Sequence, residues 1–188
     1  MALELEKILP GSSDAGLMDE VNLEAFPPEE LMSTDLQTDL CARGLLDVWA
    51  VRDGQSFVGF TTVYPSAKLA YVFFLAVSSK MRSHGYGARI LELLRRHYEG
   101  RRLVLDIERT DPSAPDNDMR VRRKMFYLRN GYSESGYVLN YCGLSFEILY
   151  DGDGGFSVSD YREMMGGIEA MIRSCGFDVF KPEIFPIC

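Results

Sequence analysis

Short alternating runs and longer helical runs succeed one another along the chain. Leu3 to Leu9 alternates apolar and charged residues, the period-two pattern of a strand. Ser12-Ser13-Asp14 offers caps for a short helix from about Ala15 to Ala25, which Phe26-Pro27-Pro28 breaks. A second helix is predicted from Glu29 to Ala42, with Leu31, Leu36 and Leu40 as buried positions and Gly44 as its stop. Leu46 to Arg52 and Ser56 to Tyr64 read as a hairpin around Asp53-Gly54. After the turn Pro65-Ser66-Ala67-Lys68, Leu69 to Val77 is a third successive strand, apolar enough to be central. An amphipathic helix follows from Ala88 to His97. In the strand Arg102 to Glu108, Leu103, Leu105 and Ile107 alternate with Val104, Asp106 and Glu108. Thr110 to Asp118 is a Pro-, Asp- and Ser-rich loop. Met119 to Arg129 is a basic helix with Val121, Met125, Phe126 and Leu128 along one side, stopped by Asn130-Gly131. Tyr137 to Cys142 and Leu144 to Tyr150 close the pattern as two strands around Gly143. The order β-α-α-β-β-β-α-β-α-β-β predicts an α+β, mixed α/β sheet rather than a regular βα alternation.

Asp151 to Gly155 forms an acidic, glycine-rich joint that sets residues 151–188 apart from residues 1–150. Beyond it, Tyr161, Met164, Met165, Ile168, Met171, Ile172 and Cys175 follow helical spacing after the cap candidate Ser159. This helix is expected to cover the core; the alternatives are a homodimer contact or a lid. Gly166-Gly167 weakens it by roughly 1 kcal/mol per glycine and is a candidate bend.

The bulk numbers narrow the partners. A net charge of −8 sets the chain against nucleic acid unless a local basic stripe overcomes it. The run Arg120, Arg122, Arg123 and Lys124 reads as a solvated helix face instead. Cys41, Cys142, Cys175 and Cys188 are widely spaced, and only His84 and His97 accompany them, so no metal site is expected. Free thiols point to a reducing, cytoplasmic setting. The residues from Met1 to Pro10 lack a signal-peptide core, and the longest apolar run, Ala70 to Val77, is too short to span a membrane.

The candidate chemistry lies where the apolar strand ending at Val77 turns into the helix from Ala88. Arg82-x-x-Gly85-x-Gly87 occupies that turn. Glycines there leave backbone N–H groups uncovered, and a helix start adds partial positive charge, a combination that suits a phosphate or pyrophosphate. A Walker A loop would need a Lys-Ser or Lys-Thr pair, which is absent. A dinucleotide fingerprint would need a third glycine and a first strand, but Gly87 is followed by Ala88, Arg89 and Ile90, and the preceding strand is at least the fourth.

The arrangement resembles the GNAT superfamily of acyl-coenzyme A-dependent N-acetyltransferases. Leu75-Ala76-Val77, then Arg82-Ser83-His84-Gly85-Tyr86-Gly87, then the helix from Ala88 match the family's strand, [QR]-x-x-G-x-[GA] loop and helix. Phe126-Tyr127-Leu128-Arg129-Asn130-Gly131-Tyr132 matches a second element, a helix ending in aromatic-Tyr, then three residues, Gly and an aromatic. The resemblance covers about residues 3–150. It implies a mostly antiparallel central sheet with splayed strands flanked by helices, and an acetyltransferase core in residues 1–150. It also implies acetyl-CoA as co-substrate. Backbone groups of Leu75, Ala76 and Val77 would pair with its pantetheine arm, and the N–H groups of Arg82, Ser83, His84, Gly85, Tyr86, Gly87 and Ala88 would cradle its pyrophosphate. Tyr127 would protonate the leaving thiolate.

The base is read from the residues: Glu108, at the C-terminal end of its strand, is the candidate proton acceptor, the alternative being a carboxylate paired with nearby arginines. No Cys or Ser stands in a nucleophile constellation, so a small-molecule or peptide amine is expected to attack directly in a ternary complex. A catalytically silent, CoA-binding regulatory or structural domain is the second reading.

Overall fold

A computed structural model describes residues 3–28, 30–141, 143–177 and 180–187. Glu29, Cys142 and Cys188, which served as predicted boundaries or candidate thiols, lie outside the described residues. The fold is mixed α/β, antiparallel strands flanked by helices. The chain divides into two compact units, residues 1–65 with 70–99, and residues 66–69 with 100–188.

In the first unit, β1 (Leu3–Lys7), β2 (Asp47–Asp53), β3 (Ser56–Pro65) and β4 (Leu69–Val77) pair in that order, each antiparallel to the next. Phe60, Val48, Leu91 and Leu94 are among its fully buried side chains. The β3–β4 register slips after Thr62, which pairs with Phe74, whereas Val63 pairs with Val72, so Phe73 is an extra residue on β4. The hydroxyl of Thr61 donates to the Phe74 carbonyl at 2.8 Å and so satisfies an acceptor beside this bulge. Nearer the strand end, Gly59 faces Val77, and a Cβ on Gly59 would lie 2.0 Å from the Ala76 carbonyl oxygen. Only glycine permits that approach.

The helices α1 (Ser13–Ala25) and α2 (Thr34–Ala42) belong to this unit. The predicted second helix is shorter than expected. Ser33 sits in extended geometry and accepts the Leu36 N–H at 3.3 Å, a cap that fixes the start at Thr34 rather than Glu29. A buried polar network holds the connection between them. Asn22 and Gln37 both donate to the Met32 carbonyl, at 2.9 and 2.7 Å, and the Thr62 hydroxyl donates to Gln37 at 2.6 Å. Helix α3 (Tyr86–His97) begins two residues before the predicted Ala88, because Gly85 already supplies its N-cap.

In the second unit, β5 (Arg102–Glu108) pairs with β7 (Leu144–Asp151), β7 with β6 (Tyr132–Tyr141), and β6 with β8 (Glu183–Pro186), all antiparallel. Two features depart from expectation. β6 starts at Tyr132 rather than Tyr137, running through an irregularity between Glu134 and Val138 where Gly136 has φ +77°. β8 was not expected at all; four residues that follow Pro182 and end in Pro186 carry too little pattern to be read as a strand. Helix α4 (Asn117–Arg129) packs on β5 and β6.

Helix α5 (Val158–Ser174) is capped by Ser157, which accepts the Asp160 N–H at 3.2 Å. It buries Tyr161, Met164, Met165, Ile168 and Met171 and runs unbroken through Gly166-Gly167. The joint ahead of it is tied down. Arg102 donates to the carbonyls of Gly155 and Gly154 at 2.7 and 3.3 Å, and Lys68 pairs with Asp160 at 2.7 Å.

Candidate cofactor loop and proton donor

After Val77 the chain makes one 3-10 turn, Ser79–Met81, and then reverses into α3 through two left-handed residues, Ser83 (φ +67°) and Gly85 (φ +73°). Ser83 is the one non-glycine with positive φ among the described residues, a local strain that a surrounding structure must hold. Gly85 caps α3 without a side chain on the helix's free N–H groups. The first bond of α3 runs from Arg89 N to Gly85 O at 3.4 Å, so the N–H groups of Tyr86, Gly87 and Ala88 lie ahead of the helical ladder. A Cβ on Gly85 would meet nothing within 4 Å, so the mouth of this turn is open. That arrangement, bare donors at a positive helix end with no side chain across them, fits a phosphate group.

The side chains of the loop mostly hold the loop itself. Arg82 donates from Nε to the Val77 carbonyl at 3.2 Å and its Nη2 meets Glu24 of α1 at 3.2 Å. His84 Nδ1 lies 2.7 Å from the Arg82 carbonyl, a bond that requires the proton on Nδ1. The Tyr86 hydroxyl donates to Asp53 Oδ2 at 3.0 Å, and Arg89 reaches the same oxygen at 3.4 Å while its guanidinium stands 5.0 Å over the Tyr86 ring. The Tyr86 bond, with Arg89, holds the Asp53 carboxyl below its ordinary range, and the same bond raises the Tyr86 phenol. Sequence reasoning took Asp53 only as a turn residue and gave Glu24 no role; both act across long sequence separations that no local pattern signals. Leu75, Ala76 and Val77 are the last three residues of β4, opposite Thr61, Phe60 and Gly59, with Ala76 buried and its neighbours half-buried.

In the second unit, Tyr127 stands in the last turn of α4, half-buried, its ring edge-on to Phe126 at 5.2 Å and Tyr132 at 5.4 Å. Burial pushes its hydroxyl up to about 12; the Arg123 guanidinium opposes this and the Asp106 carboxylate adds to it.

Glu108 does not sit as an available base. Arg120 and Arg123 meet its two oxygens at 3.2 and 2.8 Å, and Arg120 is itself held by Asp116 at 3.0 Å. The carboxylate is the centre of an ion-pair cluster, its lone pairs already engaged by charged donors. The basic run is correspondingly less solvated than its sequence suggests. Lys124 bridges Glu134 and Glu147, each at 2.5 Å, so Arg120, Arg123 and Lys124 all carry anionic partners.

Among the described residues, no group of three His, Cys, Asp or Glu is arranged to hold a metal ion, and no helix is long and apolar enough to cross a membrane. Cys41 is a buried free thiol.

Residues 45–134 match the family model of the acetyltransferase (GNAT) domain. No curated protein matches the sequence. Among solved structures, the chain is similar to a protein of Bacteroides thetaiotaomicron assigned to the GNAT family of acetyltransferases, with 25% identity, a TM-score of 0.71, and 94% of this chain and 99% of that one covered. It is also similar to an aminoglycoside 6′-N-acetyltransferase complexed with coenzyme A (16% identity, TM-score 0.62, 79% and 96% covered). A GNAT family acetyltransferase from Elizabethkingia anophelis with acetyl-CoA bound gives 12% identity and a TM-score of 0.54, with 80% and 98% covered. At those identities the last two speak to the fold.

Proposed function

We propose that this chain, which belongs to the GNAT superfamily, is an acyl-CoA-dependent acetyltransferase that moves an acetyl group from acetyl-CoA to a primary amine by direct attack. The observation that carries this reading is the open, uncapped start of α3 behind the left-handed turn at Ser83 and Gly85. Its donors suit the pyrophosphate of the co-substrate, held by the N–H groups of residues 83–88, since the Arg82 N–H already donates to the Ser79 carbonyl at 3.4 Å, with the end of β4 (Leu75, Ala76 and Val77) offering backbone groups to the pantetheine arm. Arg82, His84 and Tyr86 act as positioning residues, through Val77, the Arg82 carbonyl and Asp53 respectively.

When bound, acetyl-CoA supplies an activated acyl group on a thioester. The protein's part is to hold a neutral amine and to deliver a proton to the departing sulfur. Tyr127 is assigned the second task by the family resemblance. A phenol held up at about 12 stays protonated at neutral pH, so the proton is always in place. It is also a weaker acid than a thiol of ordinary pKa near 8.5, so passing its proton to the thiolate is uphill by itself and has to be coupled to return of a proton from the attacking nitrogen to the phenolate. Glu108, committed to two arginines, braces α4 against the end of β5, and the amine's proton goes elsewhere.

Calorimetric titration with acetyl-CoA, followed by an acetyl-transfer assay over a panel of amines, tests the reading. Micromolar binding that Gly87→Trp abolishes while the fold survives, together with turnover, is the expected result. Binding without turnover on any amine would favour a silent CoA-binding domain, and no binding by folded protein would remove the loop assignment.

A further inference from the structure

Two helices carry outward faces that the roles above leave unused. α1 buries Asp14, Met18, Val21 and Asn22 and turns Leu17, Glu20 and Leu23 to solvent, with Leu23 62% exposed. No residue of α4 is buried, and Met119, Arg122 and Met125 face outward, with Met119 60% exposed. The two triplets share one spacing, Leu-x-x-Glu-x-x-Leu on α1 and Met-x-x-Arg-x-x-Met on α4. By helix geometry the outer residues of each triplet lie about 9 Å apart along the axis, and about 60° to either side of the charged one. Each face is therefore an apolar pair astride a single charge, and the charges are opposite. The side chains of Glu20 and Arg122 have no ion-pair partner among the described residues. The wider helices repeat the contrast. α1 carries four carboxylates and no cation, whereas α4 carries five cations and one carboxylate, Asp118. Gly16, one turn before Glu20, lacks positive φ, and a Cβ there would meet nothing within 4 Å. Alanine is the better helix former, so nothing within the chain calls for glycine; the bare backbone leaves room for an incoming side chain.

We propose that α1 of one copy docks on α4 of a second copy of this chain, Glu20 pairing with Arg122 of the partner subunit and the two leucines meeting the two methionines. Because the charged residue is central in both triplets, the match holds whichever way the helices run. The ion pair alone would be worth little at a surface. Apolar side chains at both ends keep water from it and add their own burial. With a net charge of −8 the copies repel one another overall, so contact forms where the local basic face meets the acidic one. Helices of 13 residues are about 20 Å long, so one such contact buries less than the roughly 800 Å² per partner of a stable interface. The expected dissociation constant for one contact is on the order of 100 µM. A two-fold pair makes the contact twice; a contact that does not close propagates into longer series. The inference is independent of the acetyltransferase reading.

Sedimentation velocity on the full chain, at concentrations up to about 1 mM, compares wild type with Glu20→Arg, Arg122→Glu and the variant carrying both changes. Wild type is expected to associate reversibly. Each single reversal sets like charges against one another and should weaken association at least about tenfold. The double variant restores opposite charges and should recover association, and an equimolar mixture of the two single variants should associate where neither does alone. Both positions are exposed and carry no ion pair within the chain, so the fold should survive, which circular dichroism checks. Leu23→Ser leaves the charges alone and should also weaken association about tenfold. Monomeric wild type at about 1 mM, association unchanged in either single reversal or in Leu23→Ser, or a double variant no better than the single ones would overturn the inference. Acetyl-CoA binding and acetyl transfer are read in separate assays, so the failure of one reading leaves the other standing.

Discussion

Arg82 donates to the carbonyl oxygen of Val77, the last residue of the strand that precedes it, and so ties the phosphate loop back onto β4. Its other contact, Glu24, lies on α1. Arg82→Ala removes a charge-assisted bond at a half-exposed site, so acetyl-CoA binding is expected to weaken about fivefold to twentyfold, less than a fully buried bond would cost. Arg82→Gln keeps an N–H donor and should lose less. Calorimetry on both variants checks the order, and equal losses would mean that charge rather than the Val77 bond matters.

Gly59 supports the same strand end from beneath. Alanine there places its Cβ 2.0 Å from Ala76 O and 2.9 Å from Val77 Cα, both backbone atoms that cannot swing away. Gly59→Ala is expected to destabilise the protein by about 3 kcal/mol. The melting temperature should fall by roughly 6–12 °C. Gly16 is the control: it lies inside α1, has no positive φ, and a Cβ added there would meet nothing within 4 Å. Gly16→Ala should leave stability unchanged or raise it by up to about 1 kcal/mol. Scanning calorimetry separates the two.

The sequence made some of this architecture readable and concealed the rest for physical reasons. The alternation in Leu103, Leu105 and Ile107, the apolar stripe of α5, and the glycines of the phosphate turn are local signals, and a strand, a helix and a turn formed over them. The cap of α5 is Ser157 rather than the candidate Ser159, which lies inside the helix. Boundaries moved where one side chain decided them, as Ser33 did for α2 and Gly85 for α3. The extra residue Phe73 and the strand β8 leave no periodic trace. The partners of Arg82, Tyr86 and Glu108 are chosen by tertiary structure, so Glu108 read as a candidate base until Arg120 and Arg123 were seen on it.

Tyr127 carries a kinetic prediction. Tyr127→Phe is expected to lower kcat about 100-fold with unchanged acetyl-CoA affinity. The acid is active when protonated, and burial keeps the phenol at about 12, so no loss of rate through this group should appear below about pH 11. A kcat profile falling with a midpoint near pH 10, and losing that limb in Tyr127→Phe, would show that the hydroxyl is not held up as described.

The Asp53–Tyr86 bond sets a pH window for the loop. Asp53 is lowered from 3.8, so its contribution is present above that value and lost as pH falls through the lowered pKa. Tyr86 is raised from 10.0, so its contribution is present below that value and lost as pH rises through the raised pKa. Acetyl-CoA affinity should therefore show no change from this pair between about pH 5 and 9. Tyr86→Phe should weaken binding by roughly threefold to tenfold within that window. Titrations across pH, with the variant alongside, check both statements.

The pairing of β8 with β6 bears on how the chain can be shortened. Cutting after residue 150 would strip β6 of the strand bonded along Tyr137 to Asn140 and remove the helix that buries Met164, Met165 and Ile168. What was left would carry an unpaired strand edge beside uncovered apolar surface, the combination that recruits other chains edge to edge. A trimmed protein would then be expected to precipitate, and its inactivity would say nothing about the chemistry of residues 1–150.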